Sequence, residues 1–163
     1  MTTTTTPSYL TSDNPRIPAA DYPYRHCIDI QTRFTDCDML GHINNNTFLS
    51  YMDLGKARYF ETALGPLFDY NRITVAIVNM NIDFYEQAFF VEHLQVWTRV
   101  VSIGTRSITF EQRVFNSKTG HTKCLATTVM SYFDPATAKS APLDPAWVAA
   151  IEAYEERELR KIK

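Results

Sequence analysis

The stretch Arg33-Phe34-Thr35-Asp36-Cys37-Asp38-Met39-Leu40-Gly41-His42-Ile43-Asn44-Asn45-Asn46-Thr47-Phe48 decides the reading of this chain, because it sets two carboxylates and a histidine between a strand pattern and a helix start. Upstream, His26, Ile28, Ile30, Thr32 and Phe34 alternate with Arg25, Asp29, Gln31, Arg33 and Thr35. That period of two, with one largely apolar face, predicts a strand entering the stretch. Downstream, Phe48, Met52, Gly55 and Tyr59 recur at helical spacing, joined by Leu49, Tyr51, Leu54, Ala57 and Phe60, until Gly65-Pro66 stops the run. A long, nearly all-round apolar helix is predicted, beginning within or just after the three asparagines, which suit a helix cap better than a helix interior. Gly41 is able to take a positive φ in the connecting turn.

Asp38 and His42 therefore sit beside a helix N-terminus. The first helical N–H groups have no intrahelical acceptor and carry partial positive charge, so they hold an oxyanion or polarise a carbonyl. An aspartate is ionised at neutral pH and either attacks an activated carbonyl or orients and deprotonates water. Hydrolysis of an activated acyl compound fits this pairing.

The segment from Asp36-Cys37-Asp38 through Gly41-His42 to Asn44-Asn45-Asn46 and Phe48, followed by an aromatic-rich helix with Arg58, resembles the signature of the 4-hydroxybenzoyl-CoA thioesterase family of hotdog-fold enzymes. The resemblance runs from about Tyr24 to Pro135. It implies that Asp38, the second Asp of the family's Asp-x-Asp, is the catalytic carboxylate, and that the Asn45 backbone N–H polarises the thioester carbonyl. Related plant acyl-carrier-protein thioesterases also use a histidine that matches His42 and an asparagine two residues after the Asp. Leu40 stands at that second position here, so the plant-type arrangement is incomplete, and His42 reads equally as a turn residue or as a participant. Asp36 keeps a structural reading as a turn carboxylate.

The implied function is an acyl-CoA thioesterase that releases free acid and CoA, with no metal or redox cofactor. The alternatives are an acyl-carrier-protein thioesterase and a non-catalytic acyl-CoA-binding hotdog module. Arg106, which follows Gly104 in a predicted hairpin, corresponds by position to a basic residue that contacts CoA phosphate in family members. Phe48 belongs to a helix face that is expected to serve as core and acyl pocket together. Glu86, Glu92 and His93 read as a polar loop in preference to the acidic second site that some hotdog enzymes use. Hotdog enzymes place their sites between subunits, so a homodimer or tetramer is expected, with an unpaired strand edge offered by the runs through Val96 to Phe133.

Composition agrees with one compact enzyme. A chain of 163 residues buries roughly 70% of its unfolded surface, enough for a single core. Sixteen Lys+Arg against 18 Asp+Glu give a formal net charge of −2, with no bulk attraction to nucleic acid or anionic membrane. Cys27, Cys37 and Cys124 are odd in number and widely spaced, which suggests neither a disulfide framework nor a zinc site. With no apolar leader and no long apolar run, a cytoplasmic protein is expected. Met1, Thr2 to Thr6, Pro7, Pro15 and Pro18 read as a flexible lead-in over residues 1–20, leaving residues 21–163 as a single hotdog thioesterase domain.

Beyond the helix, Ile73 to Phe84, the alternating runs through Leu94 to Val100 and Ile108 to Val114, and Lys123 to Phe133 predict four more strands. Breaks at Tyr85 to Glu92, Ser102 to Arg106, Asn116 to Gly120 and Asp134-Pro135 have the short spacings of antiparallel hairpins. Trp147 to Ile162 predicts a C-terminal helix opened by Asp144-Pro145, with Arg157, Arg160, Lys161 and Lys163 near its end. The expected fold is α+β: a five-stranded antiparallel sheet wrapped around a long central helix, with an additional C-terminal helix, for which the hotdog fold is the match.

Overall fold

The computed structural model describes residues 14–160. Helix α1, Asn45–Leu64, is bounded by the residues that its sequence signals name. The Asn44 side chain accepts the Asn46 N–H at 2.9 Å, and Gly65 closes the helix at φ 53°, its N–H donating to the Glu61 carbonyl. Strands β1 (His26–Asp29), β2 (Val75–Phe84), β3 (Leu94–Ile103), β4 (Ser107–Asn116) and β5 (Thr122–Asp134) form one antiparallel sheet in the order β1-β3-β4-β5-β2. A two-residue β6, Lys139–Ser140, pairs with β5. Helix α2, Pro145–Glu155, carries the Asp144 cap and packs near α1 and β3.

The sheet wraps α1 because Gly55 lets the helix come close. A Cβ there would stand 2.8 Å from Val96 Cγ1, 2.9 Å from Gln112 Nε2 and 3.0 Å from Thr98 Oγ1. The helix is not apolar all round: Phe48, Met52, Tyr59 and Phe60 are buried, whereas Leu54 and Arg58 lie on an outer face. At its middle a polar layer crosses the interior. Gln112 Nε2 donates to the Met52 carbonyl and to Thr98 Oγ1, and buried Lys56 reaches Gln112 Oε1 at 3.4 Å and Asp53 Oδ1 at 2.9 Å. This layer separates an apolar cluster around Phe48, Met52 and Val96 from another around Tyr59, Phe110, Trp147 and Ile151.

Other sequence expectations change as well. β1 ends at Asp29, not near Thr35, because the Asp36 carboxylate accepts the Arg33 N–H at 2.8 Å and closes a 3-10 turn over Phe34–Asp36. The break after β2 is not a hairpin. β2 pairs with β5, and residues 85–93 cross to the other side of the sheet, so β3, β4 and β5 are interior and the free edges belong to β1 and β2. The unpaired edge expected between Val96 and Phe133 is therefore filled. Finally, α2 stops at Glu155, not Ile162. Glu156 turns left-handed at φ 52°, and the buried Leu159 carries the chain back to β3, where its carbonyl accepts the Ile103 N–H. Arg157 then stacks on Tyr22, 3.6 Å from the ring centre, and Lys161 to Lys163 lie outside the described residues.

Of the expected lead-in, residues 1–13 lie outside the described part. Ile17 is buried, the Pro18 carbonyl accepts from Arg113, and the Tyr22 carbonyl accepts from Arg99 at 2.6 Å. Residues 14–24 thus cross the outer face of the sheet. No helix among the described residues is long and apolar enough to cross a membrane.

Candidate active site

The turn between β1 and α1 is built around Asp38. Its Oδ1 accepts the Leu40 N–H at 2.9 Å and the His42 N–H at 3.3 Å, while its own N–H donates to the His42 carbonyl at 2.8 Å. Gly41 completes the turn at φ 79°, a conformation in which a side chain would be strained. Among the described residues nothing hydrogen-bonds Oδ2, so the aspartate is oriented by backbone amides through one oxygen alone.

The helix start supplies the complementary donor. Asn44 takes the Asn46 N–H on its side chain and the Thr47 N–H on its carbonyl, leaving the Asn45 N–H with no acceptor among the described residues. Asp38, Leu40, His42, Asn45, Phe48 and Phe84 line one cavity of about 520 Å³, together with residues 85–88. The His42 ring packs edge-on against Phe89, with centroids 5.2 Å apart. Phe48 is buried and meets Phe84 edge-on at 5.7 Å, so it is core and cavity wall together.

Asp36 has the structural role read from the sequence. Besides the Arg33 N–H, its carboxylate accepts the Tyr51 hydroxyl at 2.6 Å, and burial together with this bond raises the Tyr51 phenol above its ordinary range. Arg106 does not line the cavity. It sits on the β3–β4 turn, donating to the Ser140 carbonyl at 3.1 Å. Phe84 lies against Cys124 and Ser107 against Ser131, positions on β5 separated by roughly 23 Å at the usual strand rise.

Tyr85, Glu86, Gln87 and Ala88 form a cavity wall where the sequence reads as a polar loop. No local pattern announces it, since these residues reach the site through the Ala88 carbonyl, which accepts the Ile43 N–H at 2.7 Å. Among the described residues no three His, Cys, Asp or Glu side chains gather as metal ligands.

A carboxylate and a free helix N-terminal amide on one cavity, set by a sheet curled around a long helix, define a hotdog-type domain. The family model of the thioesterase-like superfamily matches residues 32–151, and the chain belongs to that superfamily. A thioesterase from Thermus thermophilus, solved with coenzyme A and Zn, is 28% identical, with a TM-score of 0.75 over 83% of this chain and 98% of that one. The 1,4-dihydroxy-2-naphthoyl-CoA thioesterase Slr0204 from Synechocystis is 19% identical, with a TM-score of 0.68 over 77% and 94% of the two chains; at that identity the likeness is one of fold. Among curated proteins, YsmA of Bacillus subtilis is 25% identical over 80 residues, covering 49% of this chain. The match spans about half the length of that relative.

Proposed function

We propose that the chain hydrolyses an acyl-CoA thioester, with Asp38 as the reacting carboxylate and the Asn45 N–H as the donor to the carbonyl oxygen. The observation that carries this reading is the pairing, on one cavity, of an Asp38 Oδ2 and an Asn45 N–H that have no partner among the described residues. With Asp38 as general base, Oδ2 takes a proton from water as the water oxygen adds to the carbonyl carbon. The negative charge that gathers on the carbonyl oxygen faces the Asn45 N–H and the positive end of α1. Collapse breaks the C–S bond, and the proton passes to the departing thiolate. With Asp38 as nucleophile, Oδ2 adds to the carbonyl carbon and the C–S bond breaks, giving an aspartyl anhydride and the CoA thiolate; water then cleaves the anhydride, restoring the carboxylate, releasing the acid and supplying the proton that the thiolate takes. His42 contributes through its backbone N–H, which orients Oδ1, and its ring narrows the cavity beside Phe89.

The test is hydrolysis of a panel of acyl-CoA esters by the wild-type protein and by Asp38→Asn. Near wild-type turnover in the variant removes Asp38 from the chemistry; binding without turnover in the wild type supports the acyl-CoA-binding module. The second reading is an acyl-carrier-protein ester. A pantetheine arm is common to both substrates, and comparing CoA with carrier-protein esters of one acyl group decides between them.

A homodimer fits this reading. β2 is an edge strand on which Val78 is 62% exposed and Ile77 42%, and edge pairing with a second copy would cover them. An antiparallel β2–β2 contact brings the Val75 end of one copy beside Phe84 of the other. Val75 pairs with Tyr132, whose N–H donates to the Arg106 carbonyl, so Arg106 would approach a CoA nucleotide from the second copy. Light scattering that gives a fully active monomer at micromolar concentration removes this arrangement. The acyl-CoA substrate and three free thiols suit a cytoplasmic location.

A further inference from the structure

The residue that ties the 85–88 cavity wall to the rest of the fold is Lys123, at the start of β5 and only 4% exposed. Its ammonium meets Glu92 Oε1 at 2.7 Å, Glu86 Oε2 at 3.3 Å and the Gln87 carbonyl at 3.0 Å, while its own carbonyl accepts the Tyr85 and Glu86 N–H groups. A buried ammonium is costly unless it is paired and hydrogen-bonded, and here three acceptors from one irregular segment satisfy it. Glu92 extends the clamp, accepting the Phe89 N–H at 2.7 Å and Asn116 Nδ2 at 2.9 Å. Burial alone would raise the Glu92 carboxyl, but hydrogen bonds from Lys123, Asn116 and the Phe89 amide outweigh it and hold the group below its ordinary range. It therefore stays ionised as the partner of Lys123.

Residues 85–92 form no strand of their own; besides the backbone bonds to the Lys123 carbonyl, Phe89 makes an isolated bridge with His42. The Lys123 cluster joins these backbone contacts in holding the segment, and with it the Ala88 carbonyl. That carbonyl takes the Ile43 N–H, one residue after His42 and two before Asn45, while the Asn44 N–H is held by the Asp36 carbonyl at 2.8 Å. The start of α1 is thus fixed from two sides, one of them through Lys123.

We propose that Lys123 is a positioning residue of the candidate site: its buried ammonium holds the 85–92 segment so that the Ala88 carbonyl anchors Ile43 and aims the Asn45 N–H into the cavity. The kinetic part rests on the thioester hydrolase reading; the structural part does not. Without the ammonium, Glu86 and Glu92 repel one another beside the cavity, the segment moves, and the oxyanion donor moves with it. A donor displaced by about 1 Å lowers turnover by up to about 100-fold while ground-state binding changes little.

The experiment compares wild type with Lys123→Met and Lys123→Arg by steady-state kinetics, thermal melting and amide hydrogen exchange resolved at Ile43. Lys123→Met is expected to lose about 10- to 100-fold in kcat with KM within about 3-fold, and Ile43 exchange should rise at least about 10-fold. Lys123→Arg, which keeps the charge, should recover part of both. Ile151→Ala, which opens a hole in the distant cluster, serves as the control for lost stability: at an equal drop in Tm it should leave kcat and Ile43 exchange unchanged. If Lys123→Met does not fold, Glu92→Gln loosens the same clamp and should move both readouts in the same direction by less. Wild-type kcat with wild-type Ile43 exchange overturns the proposal. So does a kcat loss that Ile151→Ala reproduces at equal Tm. If the wild-type protein hydrolyses no thioester, the hydrolase reading falls, and Ile43 exchange alone still confirms or overturns the role of Lys123.

Discussion

The two ends of α1 lie in the same sheet but are treated differently. Around its C-terminal half, α2 covers the apolar cluster of Tyr59, Phe110, Trp147 and Ile151, and the Glu155 carboxylate accepts the Tyr59 hydroxyl at 2.7 Å and the Val100 N–H at 2.8 Å. Burial raises the Glu155 carboxyl, against the lowering effect of those two bonds. Among the described residues no helix covers its N-terminal half, and the Asn45 N–H and Asp38 Oδ2 face a cavity without partners. Covering an element makes stability; chemistry needs the end where backbone and carboxylate are left available, because a satisfied donor has nothing to offer a transition state.

The sharpest way to break this contrast is Asp38→Asn. It should lower kcat by about 100- to 10,000-fold, since the amide keeps the shape and loses the base or nucleophile. Unfolding stability should stay within about 0.5 kcal/mol, because the amide oxygen still accepts the Leu40 and His42 N–H groups. A large fall in Tm would show that Asp38 serves the fold, and the open end would lose its distinction.

Gly55→Ala tests the polar layer that divides the two ends. The added methyl gains about 1 kcal/mol in helix propensity, but it meets Val96, Gln112 and Thr98 at 3.0 Å or less, an overpacking that costs typically 1–3 kcal/mol. A net loss of about 1 kcal/mol by urea unfolding is expected. A gain in stability would mean that helix and sheet have room to part, and that the layer does not hold the ends in register.

Acid distinguishes the covered end. Burial lowers the His26 imidazole to about 4, and its ring packs edge-on against Tyr59. Its Nε2 has no partner among the described residues, and Nδ1 lies 3.3 Å from the Tyr154 hydroxyl. A base whose folded pKa is depressed contributes stability above its unfolded value of 6.5, and that contribution is lost as pH falls toward 4. His26→Phe should therefore flatten the decline of the urea midpoint across that window. An unchanged slope would place the acid sensitivity elsewhere.

Arg106→Ala should give the smallest effect, a rise in KM for acyl-CoA of about 2- to 10-fold with kcat nearly unchanged, weaker in high salt because the guanidinium is exposed. An acyl-pantetheine ester lacking the nucleotide should show no difference. Equal losses on both substrates would mean that Arg106 acts through its Ser140 contact, and the approach from a second copy would be dropped.

What local chemistry dictates could be read directly. Asn44 caps α1 and Gly65 ends it within one residue of expectation, and Asp38 and Gly41 form the turn between strand and helix, because caps and turns are made by residues a few positions apart. Strand runs were legible for the same reason, through alternation. Their neighbours were not: nothing in residues 75–93 says that β2 passes β3 and lies against β5, a choice made by apolar faces that meet only after the sheet curls around α1. The end of α2 depended on Leu159 finding β3, and the cavity wall at residues 85–88 depended on Lys123, more than thirty positions later, meeting Glu86 and Glu92. The sequence by itself determined the pieces and the turn around Asp38, since those energies are local; only the tertiary structure decided which pieces enclose the cavity, since that rests on contacts between residues far apart in the chain.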